Sequence, residues 1–255
     1  MGAGQFMALK AIRTGNQTKA QRRSMMDHQP CETCAVRGIA VCGALSREEL
    51  DKFGAEMSDV RLQSGDTLIS EGDPEKHVFS VLSGCLKCYK LMPDGRRQIT
   101  GFLFPGDFLG LGKCEENTFS AEAVGEVGLC RMERTRLTSL SGEIPNLKHR
   151  LYDLAAESLS ELQDHILLLG RKTAQERVAT FLLTLSKRAQ LRGDIANPVE
   201  IPMGRDDIGD FLGLTTETVS RTFSRLRKAG IIGTDRDKRI QLINMEELES
   251  LAEGA

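Results

Sequence analysis

Three cysteines open the informative part of this chain. Cys31, Cys34 and Cys42 are separated by two and then seven residues. Gathered thiolates are soft ligands for a metal, and the Cys31–Cys34 pair could also act as a simple dithiol switch. Zinc needs four donors, and His28 or Cys130 would complete a tetrahedral set with the three. The remaining cysteines read differently. Cys85 and Cys88 lie three apart in a strand-like run, so they point to opposite faces and cannot easily share one site. They read as buried, inert side chains, as does Cys114 in its loop.

The whole chain sets the context for those thiols. It has 255 residues, of which 40% are hydrophobic, enough for one large domain or two ordinary ones. It holds no apolar run near 18 residues, so no membrane span is expected. The first thirty residues carry Lys10, Arg13, Lys19, Arg22 and Arg23 without an apolar core, unlike a secretory signal. They read as a mobile tail, and the protein is expected in the cytoplasm. Seven cysteines in a reducing compartment point to metal or redox chemistry rather than disulfides. With no Trp and two Tyr, stacking platforms for single-stranded nucleic acid are sparse.

The elements that must position the thiols follow in order. Ser46-Arg-Glu-Glu49 has the pattern of a capping box, opening a short helix with Leu50 and Phe53 on one face. From Asp59 to Met132 short β-rich runs cover Val60–Leu62, Thr67–Ile69, Val78–Leu82, Leu86–Leu91 and Gln98–Leu103. Turn signals such as Ser64-Gly65-Asp66 and Pro93-Asp94-Gly95 separate them, so an antiparallel barrel, jelly roll or sandwich is expected. After Glu143-Ile-Pro145 the pattern is helical for roughly 24 residues, with Pro145 near the first position and Gly170 at the expected C-terminal stop. Its apolar stripe includes Leu151, Leu159, Leu162, Ile166 and Leu169, a seam suited to a parallel homodimer. The alternative is that the stripe packs only on its own barrel. A second amphipathic helix, Ala174–Gln190, turns Val178, Phe181, Leu182 and Leu185 inward.

Residues 205–228 have the layout of a helix-turn-helix. Ile208 and Leu212 face inward, Gly209 leaves room for a crossing helix, Gly213 makes the turn and Leu214 plugs it. Thr215 or Thr216 caps the second helix, whose Val219, Phe223 and Leu226 are buried. Glu217, Ser220 and Arg221 then share one outer face. Arg pairs with guanine, Glu accepts from cytosine, and Ser serves either, so this is a base-reading face. Thr216 and Arg225 complete the DNA-facing set, with Arg225, Arg227 and Lys228 placed for phosphates. A turn and a two-stranded wing follow, with its tip at Asp235-Arg-Asp-Lys238. Residues 171–245 hold 14 Lys and Arg against 9 Asp and Glu. This local excess suits double-stranded DNA although the whole chain carries −2.

The order of β-roll, long helix and winged helix-turn-helix resembles the Crp–Fnr superfamily of bacterial transcription regulators. The most specific stretch, Asp207-Ile-Gly-Asp-Phe-Leu-Gly-Leu-Thr-Thr-Glu-Thr-Val-Ser-Arg221, is similar to the oxygen-responsive FNR branch. Pro145-Asn-Leu147 and His165-Ile-Leu-Leu-Leu-Gly170 look like the same branch, and the cysteine spacing is similar to that of FNR-like regulators of α-proteobacteria. The resemblance implies an α+β fold: a double-stranded β-helix (jelly-roll) sensor domain over residues 31–142, a dimerisation helix over 143–170, and a winged helix-turn-helix over 171–255. It implies a 4Fe-4S cluster, which takes four thiolates, with Cys130 joining Cys31, Cys34 and Cys42. The residues alone leave Cys114 open beside Cys130 as the fourth ligand. Also implied are recognition of TTGAT-type inverted repeats, control of anaerobic or microaerobic genes, and contact with RNA polymerase, with Pro93-Asp-Gly95 and residues 114–118 as candidate loops.

In cyclic-nucleotide-binding members the β-roll carries a Gly-Glu and an Arg-Ser pair. Here Leu111 stands where that Glu is expected and Phe119-Ser120 where the Arg-Ser is expected, removing the guanidinium that would hold a phosphate. No cyclic nucleotide is expected. No nucleophile–base constellation and no P-loop occur, and His28, His77, His149 and His165 are scattered, so the chain does not read as an enzyme. Glu161 and Asp164 flank the apolar seam without lying on it, so dimerisation is expected even without a cluster.

Overall fold

A computed structural model describes residues 31–112 and 115–254. The expected tail at 1–30, His28 and Cys114 lie outside the described residues. Cys31–Thr33 and Val41–Ala44 form short 3-10 turns. Helix α1 (Arg47–Gly54) begins with the expected capping box: the Ser46 side chain accepts from the Glu49 N–H, and Glu49 accepts from the Ser46 N–H.

Eight strands then build the β-roll. They are β1 (Ser58–Leu62), β2 (Thr67–Ile69), β3 (His77–Ser83), β4 (Leu86–Leu91), β5 (Arg97–Leu103), β6 (Phe108–Leu109), β7 (Ser120–Ala123) and β8 (Val127–Glu133). They form two antiparallel four-stranded sheets, in the orders β1-β8-β3-β6 and β2-β7-β4-β5. Phe79, Val81, Leu86, Cys88 and Leu129 pack between the sheets. Alternation along β3 and β8 turns Val78 and Met132 outward, where they meet Val41, Leu45, Phe53 and Leu147 in a second core. That second core glues the cysteine segment to the roll and to the long helix.

Helix α2 (Arg134–Glu143) leads into α3 (Pro145–Arg171), with Pro145 at its first turn as expected. Gly170 does not stop α3, which runs on to Arg171. The stop comes instead from Thr173, whose side chain caps α4 (Ala174–Leu191) in a capping box with Glu176. Helices α5 (Arg205–Leu212) and α6 (Thr216–Lys228), strands β9 (Ile232–Thr234) and β10 (Ile240–Leu242), and helix α7 (Met245–Glu253) complete the chain. Their core is continuous with the outer face of the roll, because Cys85, Ile99, Phe102 and Phe104 join Phe181, Leu182, Ile208 and Phe223. Cys85 and Cys88 thus face opposite sides of one sheet, as their spacing requires.

Candidate metal centre and nucleic-acid interface

Cys31, Cys34, Cys42 and Cys130 line one small cavity. Two different local structures bring them there. The segment after Cys31 folds through consecutive tight turns: the Arg37 N–H donates to Cys34 O at 3.1 Å, the Ala40 N–H to Val36 O at 3.0 Å, and the Gly43 N–H to Ala40 O at 3.0 Å. Gly43 is required for that closure, since a Cβ there would stand 2.6 Å from Arg37 O. Cys130 comes from the outward face of β8, paired with Asp59 on β1 and Ser80 on β3.

The rest of the lining is apolar, supplied by Val36, Phe53, Met57 and Leu82 among others, with Ser80 as its one hydroxyl among the described residues. Burial pushes the Cys42 thiol up to about 11, with the Cys34 and Cys31 sulfurs adding to the rise. Cys31 and Cys130 are also raised, chiefly by burial. Cys34, Cys42 and Cys130 are free thiols. Among the described residues no three His, Cys, Asp or Glu side chains are grouped as a single metal ion requires. Four thiols around an apolar hollow fit a group that takes four thiolates, as a 4Fe-4S cluster and a structural zinc ion both do.

The same segment is tied to α3. An Arg150 Nη donates to Ile39 O at 3.3 Å, and Asn146 Nδ2 donates to Glu49 at 3.2 Å. Leu147, Leu151 and Leu154 pack with Val41 and Leu45.

At the other end, α5 and α6 form the helix-turn-helix. Gly213 adopts φ 63° at the end of α5, a conformation open mainly to glycine. Gly209 permits the crossing, since a Cβ there would meet Leu214 O at 2.6 Å. Thr215, not Thr216, is the cap, accepting from the Thr218 N–H at 3.2 Å. Val219, Phe223 and Leu226 are buried as expected. Glu217, Ser220, Arg221 and Arg225 line one shallow open groove with Ser224 and Lys228. Thr216 is exposed at the helix start, and Arg221 sits 3.6 Å from Glu217. The wing tip spans 235–239, where Arg239 pairs with Asp235 at 2.8 Å.

Residues 176–251 match the family model described as a Crp-like helix-turn-helix domain, and residues 59–143 match the cyclic nucleotide-binding domain. The chain is 42% identical to the nitrogen fixation regulation protein FixK of Bradyrhizobium diazoefficiens, over 87% of this chain and 93% of that protein. It is 36% identical to the transcriptional activator protein anr of Pseudomonas aeruginosa, over 88% and 93%. The chain belongs to the Crp–Fnr family of transcription regulators. The solved structure of FixK2 from Bradyrhizobium japonicum superposes with a TM-score of 0.72 at 38% identity, covering 76% of this chain and 96% of that one. As a Crp–Fnr regulator the chain is a DNA-binding protein, and these relatives are transcription regulators.

Leu159, Leu162 and Ile166 of α3 are 58%, 49% and 70% exposed. Leu151 and Leu169, expected on the same seam, are partly buried against cores of their own chain. In the roll, Leu111 and Phe119 pack against its cores. The cavity beside Phe119 is lined by Glu75 and Glu116 and, among the described residues, by no Lys or Arg. No helix among the described residues is long and apolar enough to cross a membrane.

Ser80 carries no sequence signal of its own. A serine in a strand carries no motif, and only its cross-strand register with Cys130 reveals its place. Equally without a signal is the docking of α5 on the roll, where Lys87 meets Asp207 at 3.2 Å and Arg97 meets Asp207 at 2.6 Å and Asp210 at 2.7 Å.

Proposed function

We propose that this protein is an oxygen-responsive transcription activator in which Cys31, Cys34, Cys42 and Cys130 hold a 4Fe-4S cluster. The observation that carries this reading is the convergence of those four thiols, from two distant parts of the chain, on one apolar cavity. The cluster, when bound, supplies a centre whose integrity depends on oxygen. The protein's own residues transmit its presence. Cys31, Cys34, Cys42 and Cys130 would hold the group and so tie the segment 31–45 to β8, and that segment packs on the first turns of α3 through Val41 and Leu45. The exposed Leu159, Leu162 and Ile166 pair two copies. The two α6 helices are then set one DNA turn apart. Glu217, Ser220 and Arg221 read TTGAT-type half-sites in inverted repeat while Thr216 and Arg225 flank them, and Arg227 and Lys228 hold phosphates. The relatives' names support the reading: one is a transcriptional activator, and another, 34% identical, is the fumarate and nitrate reduction regulatory protein of Salmonella typhi. The protein acts in the cytoplasm, where it meets RNA polymerase. Leu111 and Phe119 stand where a cyclic-nucleotide site would carry its Glu and Arg, so no cyclic nucleotide is part of this reading.

The test is purification without oxygen, followed by iron, sulfide and zinc analysis and a visible spectrum. About four irons per chain and a broad absorbance that fades in air are expected. Zinc alone at one per chain overturns the reading. Cys130→Ala is expected to abolish the chromophore, and its retention would remove Cys130 from the ligand set.

A further inference from the structure

Ser80 is 4% exposed, and its Oγ is buried with no hydrogen-bond partner among the described residues. Buried hydroxyls are ordinarily paired, so an orphan asks for an acceptor that is missing. Its position says which one. Along β3, Phe79 and Val81 enter the roll's interior, so Ser80 and Leu82 face the other way, into the cavity that the four cysteines line. Ser80 is the direct cross-strand partner of Cys130, a relation that brings two side chains on one face within contact range. The side chains around it are apolar or thiols, so sulfur is the acceptor chemistry that this hollow provides. A neutral thiol accepts weakly, whereas a thiolate or sulfide accepts strongly.

We infer that Ser80 Oγ–H donates a hydrogen bond to a sulfur of the group held by the four cysteines, nearest in register at Cys130, and sets that group's reduction potential. This inference rests on the cluster reading above. Ser80 is a tuning residue and not a ligand. Donation to sulfur stabilises the more negative, reduced state and so raises the potential. It also makes the resting group harder to oxidise, which governs how fast it is lost in air.

The experiment compares the full-length protein, purified without oxygen, with Ser80→Ala, Ser80→Thr and Ser80→Val. Thr and Val share one shape and differ in the hydroxyl, so this pair separates the hydrogen bond from packing even if Ala disturbs the sheet. Iron content is measured first. Ser80→Ala and Ser80→Val are expected to retain iron yet bleach in air about three to ten times faster than wild type, and Ser80→Thr to stay close to it. In an anaerobic redox titration the same ratio lowers the midpoint by about 30 to 60 mV, at 59 mV per decade for one electron. Iron-loaded Val and Thr variants with the same midpoint and bleaching rate would overturn the inference while leaving the cluster reading intact. A wild-type protein without iron overturns the cluster reading and, with it, this role for Ser80.

Discussion

Cys31 is positioned by the absence of a side chain opposite it. A Cβ added at Gly54, the last residue of α1, would stand 3.0 Å from Cys31 Sγ, closer than sulfur and carbon comfortably approach. Replacing Gly by Ala inside a helix ordinarily gains up to about 1 kcal/mol, less at a terminus. Gly54→Ala is therefore expected to leave apo stability unchanged or slightly raised in a denaturant titration, while bound iron is lost from the anaerobic protein several-fold faster to a chelator. Equal iron retention would mean that Cys31 shifts without consequence. Cys31, Cys34 and Cys42 were legible because they are adjacent in sequence. Cys130 was legible only through family resemblance, because strand register, not spacing, carries it across some ninety residues. Ser80 had no sequence signal at all.

Among elements, the contact of α5 with β4 and β5 joins the sensor roll to the DNA-reading head. Lys87 is 8% exposed and Asp207 6%, so the pair is largely out of water. Glu122, 2.9 Å from Lys87, completes the cluster. Removing one member of such a network leaves its partners buried without full compensation. Asp207→Ala is expected to cost about 3 kcal/mol of unfolding free energy by chemical denaturation, with Asp207→Asn losing less because it can still accept hydrogen bonds. A change within about 0.5 kcal/mol would show that the interface tolerates the loss. Nothing in the sequence pointed to this docking, since charged residues on a strand and a helix look like solvated faces until the two meet. Helix α2 was equally silent. Its N-cap, Glu133, makes no side-chain cap bond, its first turn holds no acid, and Arg134 and Arg136 oppose the helix dipole. Tertiary contacts of Leu137 and Leu140 sustain it instead. Helix α7 did carry one local sign, Asn244 accepting from the Glu247 N–H at 3.1 Å, but its nine residues hold only Leu248 and Ala252 as buried anchors. Strands β1 to β5, the wing, α3, α4 and the helix-turn-helix were legible because periodicity, caps and turn residues agreed, whereas β6, β7 and β8 were not among the runs the sequence marked.

At the scale of the whole molecule, three cores run from the cysteine segment through the roll to the head, and an apolar stripe on α3 is left outside them. Leu159, Leu162 and Ile166 recur at three and four residues along α3, each about half exposed or more. A stripe of this kind in water is a surface awaiting a partner. Glu161 and Asp164 lie beside it, not on it, so no carboxylate has to be buried when two copies pair. The reduced apo protein is therefore expected to elute as a dimer at micromolar concentration, with loss of the metal group changing DNA affinity more than assembly. Ile166→Glu places a charge on the stripe, and burying an unpaired charge is costly. That variant is expected to be monomeric with unfolding free energy per chain within about 0.5 kcal/mol of the wild-type monomer, because Ile166 supports no core of its own chain. Its affinity for an inverted repeat should fall on the order of 10²-fold, since each head then binds its half-site alone. A wild-type apo monomer under these conditions would place oxygen control at the dimer interface. A dimeric Ile166→Glu would place the interface elsewhere on the molecule.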